Sequence, residues 1–231
     1  MSVADAKGRR FDAATGIGFA ILAVVGFLLP GAPPKADDSP ADLAAFFSDH
    51  DGALLAGSFV LGLSAILFLW FAGSFRSYLR AAEGGEGRLS SAAFGGGVAG
   101  IALVLAGAGI FNGLAFDVAG SGADADLVRA FFDAGGAVIA LGGFGFAAFF
   151  AAASCSGARS GALPPWAYWS GSVTAVLQVL GGIALFAKSG AFAAGGAFTL
   201  LPLLAGLLWV AAVSVVLMRR DGVPPIARTD P

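Results

Sequence analysis

The residues point to an all-α fold, a polytopic transmembrane helix bundle of six spans, built as three tandem parallel helical hairpins. Three observations lead there. The chain of 231 residues is 58% hydrophobic and only 12% charged, with mean hydropathy +0.85; an average soluble domain carries about 25% charge. The apolar residues gather in six blocks, about 13–30, 53–75, 91–116, 130–154, 166–187 and 196–218. A helix rising ~1.5 Å per residue needs roughly 20 such residues to cross a ~30 Å hydrocarbon core. The blocks also lack the apolar–polar alternation of outer-membrane strands, and a lone strand in lipid would leave its backbone polar groups unpaired.

The first block runs apolar from Thr15 to Leu29 and stops at Pro30, Pro33 and Pro34. Its basic start resembles a signal peptide, but no A-x-A site follows, so it reads as a retained span. Between the first two spans, Ser39 can cap a short helix, Pro40 suits its first position, and Asp42 favours its positive end. Leu43, Phe46 and Phe47 then share one face, which predicts an amphipathic helix on the outer surface. The third span carries Gly96 with Gly100 and Gly109 with Gly113 at GxxxG spacing, and the fourth clusters Gly142, Gly143 and Gly145. Small residues let helices approach closely where lipid removes any hydrophobic drive between them, so tight packing inside the bundle is the plain meaning. Trp166, Tyr168 and Trp169 open the fifth span as an interfacial aromatic belt.

Positive charge sets the orientation. Lys7, Arg9, Arg10, Arg76, Arg80, Arg88, Arg159, Arg219, Arg220 and Arg228 fall on one side, ten of thirteen cations. The other side has only Lys35, Arg129 and Lys188, with nine acidic residues in its first two loops. Residues 1–12 and 219–231 are therefore expected as cytoplasmic tails. The abundance of Ala and Gly and the excess of Arg over Lys point to a bacterial plasma (inner) membrane.

The chain also repeats itself. The run from Ala41 to Phe47 returns as Ala125 to Phe132 with one residue inserted, and each copy leads into an even-numbered span. Gly16 and Phe27 match Gly100 and Phe111. The second span aligns without gaps on the sixth, with Gly57, Trp70 and Arg80 against Gly196, Trp209 and Arg219. Two spans per unit make the repeat parallel.

Chemistry is sparse. No ionisable residue lies in the middle of any span, and intramembrane charge is the usual mark of function. The candidate intramembrane polar contacts are Gln178, near the centre of the fifth span, and Asn112, in the outer part of the third. Each is expected to join helices by a hydrogen bond; Ser64 can bond back to its own helix. His50 with Asp37, Asp38, Asp42, Asp49 and Asp51 forms an acidic outer loop, read as hydrated because metal-ligand spacings are absent. Cys155 is the only cysteine and is expected to pack. No catalytic, cofactor-binding or metal-binding residue is predicted, no cofactor is expected, and the net charge of −2 gives no reason to expect nucleic acid.

The runs DDSPADLAAFF, GLSAILFLWFAGSFRSYLR, EGRLS, GALPPWAYW and LLWVAAVSVVLMRR resemble a family of six-span actinobacterial integral membrane proteins of unknown function, over about residues 10–220. The resemblance implies six helices in a plasma membrane and brings no activity. The expected partners are the lipid bilayer and a second copy or another membrane protein, joined through helix packing in a non-enzymatic role. The alternative is a carrier or channel for a small neutral or apolar solute, lined by Gln178 and Asn112.

Overall fold

The computed structural model describes residues 3–118, 124–187, 189–193 and 195–219. Among the described residues seven α-helices follow one another and there is no strand. They are α1 (Val3–Leu28), α2 (Pro40–Asp49), α3 (Asp51–Glu83), α4 (Arg88–Gly113), α5 (Ala125–Ser160), α6 (Pro165–Gly181) and α7 (Ala197–Arg219). A π-helical turn, Leu114–Val118, prolongs α4, and a 3-10 turn, Gly182–Leu185, prolongs α6.

Among the described residues five helical stretches, within α3 to α7 and their extensions, are long and apolar enough to cross a bilayer. The apolar part of α1, Asp12–Leu28, is shorter. At ~1.5 Å per residue it covers about 25 Å, and it ends where Pro30 and Gly31, at φ +83°, turn the chain away. Several helices outrun the apolar blocks that announce them. The expected tail 1–12 is helical from Val3, because nothing before Asp12 breaks the helix; residues 220–231 lie outside the described set.

Local signals fix several helix starts. The Ser39 hydroxyl caps α2 by accepting from the Asp42 amide, with Pro40 following it, and Asp124 caps α5 by accepting from the Asp126 amide. Helix α4 begins after Gly87, at φ +65°, which has no capping side chain. Glu83 serves instead from the end of α3: its two carboxylate oxygens accept from the amides of Leu89 at 3.0 Å and Ser90 at 3.2 Å.

The helices α1, α3, α4, α5, α6 and α7 form a ring in which each packs on the next and α7 closes on α1. The centre is filled by aromatic side chains. Phe68, Phe71, Phe75, Phe149, Phe150 and Trp209 are all buried. Ring centroids lie 5.7 Å apart for Phe68 and Phe149, 5.0 Å for Phe149 and Phe150, and 5.2 Å for Phe150 and Trp209. On the outside the pattern inverts: Ile21, Phe59, Ile66, Val173, Val176 and Leu208 are each more than half exposed. Buried aromatic centre and apolar rim together suit a lipid surround, not water.

The two copies of the repeated motif meet. Helix α2 lies against α5, and Phe47, Phe111 and Phe132 contact one another beside Leu43, Leu114 and Val128. The inserted residue of the sequence alignment disappears here. Ser39 and Asp124 are the equivalent caps, and the buried residues follow at the same spacings, Leu43 and Phe47 after one, Val128 and Phe132 after the other. Leu127, the sequence match of Leu43, is exposed instead. The match between the second and sixth spans does not carry over to environment: Trp70 is 55% exposed, whereas Trp209 is 3% exposed.

Candidate functional site

The mid-bundle amide of Gln178 sits where three helices meet. Its Nε2 donates to the Pro202 carbonyl of α7 at 3.1 Å. Gly143 of α5 and Gly206 of α7 line it: Cβ atoms placed on them would each lie 3.5 Å from the Gln178 amide, an ordinary contact. A backbone carbonyl is thus the partner, and the side chain is half-buried. Gln178→Leu removes one interhelical hydrogen bond and leaves a carbonyl inside a helix. The expected loss is about 1–2 kcal/mol, read as a small drop in unfolding midpoint in detergent; a collapse of the fold would contradict this account.

Asn112 lies elsewhere. Its Oδ1 accepts from the Ser58 hydroxyl at 2.7 Å, joining α4 to α3. Helices α4 and α6 are not neighbours in the ring, so the two candidate amides do not share a site. Ser64 donates to the Leu61 carbonyl of its own helix.

The acidic loop is occupied with its own structure. Asp38 accepts from the Lys35 amide, Asp42 from the Ser39 hydroxyl at 2.6 Å, and a ring nitrogen of His50 lies 3.0 Å from the Phe46 carbonyl. Among the described residues no group of three or more His, Cys, Asp or Glu converges as a metal site needs. A cleft of about 270 Å³ opens between Lys35 and Asp37 on one side and Gly190, Ala193 and Gly195 on the other. Neither Gln178 nor Asn112 lines it. Cys155 is exposed at the end of α5, so it is not the packing residue expected; its neighbours Ser154 and Ser156 turn inward.

Sequence reasoning missed two polar fasteners. Arg129 pairs with Asp133 at 3.2 Å and donates across 91 and 93 residues to the carbonyls of Asp38 and Ala36, tying the loop between α1 and α2 to α5. Trp209 Nε1 donates to the Ala167 carbonyl at 2.7 Å, joining α7 to α6. Their donor types were visible, but their carbonyl partners are distant in sequence and carry no side-chain signal.

The GxxxG pairs divide. On α4, Gly96 and Gly100 face α5: a Cβ on Gly96 would lie 2.7 Å from the Gly145 carbonyl, and one on Gly100 2.9 Å from the Phe146 ring. Gly109 and Gly113 face outward, with nothing within 4 Å of an added Cβ. They extend an exposed line of small residues, Ala92, Gly95, Ala99, Ala102 and Ala106, at alternating spacings of three and four.

The architecture and its polar contacts define an all-helical, membrane-type bundle whose amides and indoles fasten helix to helix. Comparison with models of protein families, with curated proteins and with solved structures finds no match to the chain.

Proposed function

We propose that the chain is a multi-pass plasma-membrane protein of six spans with cytoplasmic termini. It works without catalysis, by packing against a second copy of itself or a membrane-protein partner. The observation that carries this reading is the exposed small-residue line of α4. Large apolar side chains are free to face lipid, and α3 and α7 expose Phe59, Ile66, Leu204 and Leu208; a face of Ala and Gly instead lets another helix backbone come close. The aromatic filling of the ring centre supports the same reading over a solute path. Ten of thirteen cations on one side support the orientation, with α1 as the sixth span tilted little because it is short.

A Cys155→Ser chain carrying Ala106→Cys tests it in native membranes. Oxidative cross-linking through position 106 is expected, with a second copy or a partner, and Gly109→Leu with Gly113→Leu should abolish it while the monomer stays folded. A cysteine at Ser39 in the same background should react with impermeant reagent from outside, and one at Ser91 should not. Cross-linking that survives both leucines sinks the packing reading. Labelling of Ser91 alone overturns the orientation.

A further inference from the structure

At the end of the bundle where α3 turns into α4, two arginines share one seam. Arg76 and Arg80 are one helical turn apart on α3. The Arg76 guanidinium lies over the Phe94 ring of α4, 5.8 Å from its centroid, with Nη2 3.4 Å from the Ser91 hydroxyl. The Arg80 stem runs beside Gly87, whose added Cβ would meet its Cγ at 2.8 Å.

The nearby carboxylates are already engaged. Glu83 uses both oxygens on the α4 amides, and Glu86 pairs with Arg88 at 2.9 Å. Among the described residues neither Arg76 nor Arg80 has an acidic partner, and Arg76 Nε is buried with no hydrogen-bond acceptor. Two positive charges therefore stand together, one of them half-buried with its Nη2 on the accessible side of the seam.

Below them the surface is apolar. Leu69 and Ile66 are exposed on α3, and nothing lies within 4 Å of a Cβ added to Gly73 or Gly62. Cationic fork above, exposed apolar helix face below: a phosphate on an acyl chain matches both at once.

We propose that this seam binds an anionic glycerophospholipid, its phosphate held by Arg76 and Arg80 with the Ser91 hydroxyl and an acyl chain passing Gly73 toward Gly62. The inference rests on the membrane reading above. A zwitterionic headgroup fits less well, because its ammonium would add a third positive charge beside the two arginines.

The test uses the full chain in lipid nanodiscs, released and weighed intact by native mass spectrometry. With equal phosphatidylglycerol and phosphatidylcholine, phosphatidylglycerol should be retained at least about tenfold over phosphatidylcholine, the ratio that corresponds to ~1.4 kcal/mol. Arg80→Gln, at an exposed position, should cut that preference several-fold, and Arg76→Gln with Arg80→Gln should erase it. Arg88→Gln, whose partner is Glu86, should leave it unchanged. Circular dichroism confirms that each variant stays helical. Equal retention by a folded double variant overturns the proposal. Displacement of the lipid by millimolar inorganic phosphate overturns the lipid assignment in favour of a free anion. Failure of the wild-type chain to enter nanodiscs overturns the membrane reading, and this inference with it.

Discussion

Gly145→Leu is expected to prevent the bundle from assembling. A Cβ at this position would lie 2.5 Å from the Gly100 amide nitrogen, 2.8 Å from its Cα and 2.8 Å from the Gly96 carbonyl. All three are backbone atoms of the facing helix, so no side chain can rotate aside. The helices α4 and α5 would have to separate along the most extensive contact in the ring. Overpacking a fitted interior costs about 1–3 kcal/mol where neighbours can shift; against backbone the loss should exceed about 3 kcal/mol. The measurement is unfolding in mixed detergent, alongside Gly62→Leu as a control. That glycine faces open space, so the control should unfold within about 0.5 kcal/mol of the natural chain. Equal stability of Gly145→Leu and Gly62→Leu would mean that α4 and α5 do not meet as described.

What was legible in the sequence was legible because its cause is local. The cap and first turn of α2 need only Ser39, Pro40 and Asp42, and the structure forms that helix where they sit. Hydropathy finds the long helices because the bilayer's demand is written into each one separately. Helix ends were less legible. The apolar block of the fourth span begins near residue 130, yet α5 starts at Ala125, because Asp124 caps it and the turns that follow need no lipid.

Tertiary relations were the illegible part. Two GxxxG pairs on one helix look alike, and only the position of α5 makes Gly96 a contact and Gly109 a bare surface. The same limit applies to Gln178. An amide in lipid announces that it seeks a partner, but a carbonyl on Pro202 is invisible among the carbonyls of every residue. Register in the motif copies was misread for a related reason. Identical letters, Ala-Asp-Leu, outweighed the spacing from cap to buried side chain, which is what packing preserves. The tryptophans 70 and 209 make the same point: one sits at the rim, its Nε1 donating to Asp12 at 2.9 Å, and the other fills the centre.

Trp209→Ala should produce the second large loss. The indole packs against Phe75 at 6.0 Å, Phe149 at 6.0 Å and Phe150 at 5.2 Å between centroids, and its Nε1 reaches the Ala167 carbonyl at 2.7 Å. Gly171 makes that reach possible, since a Cβ there would lie 2.8 Å from Nε1. Removing the ring opens a cavity between side chains of α3 and α5 and the backbone of α6. Lipid tails are as apolar as this core, so the water-transfer share of the usual penalty drops out and the packing share remains. The expected cost is about 3 kcal/mol, at the lower end for truncating a large aromatic. Trp209→Phe separates the two contributions: it keeps a ring among the phenylalanines and loses the hydrogen bond, which should cost only about 1 kcal/mol. Ser170 also donates to the Ala167 carbonyl, at 3.2 Å, so that acceptor is not stranded. Unfolding of both variants in the same detergent series gives the comparison. If Phe proves as damaging as Ala, the hydrogen bond to α6 outweighs the aromatic packing, and α7 is held in the ring mainly by that one contact.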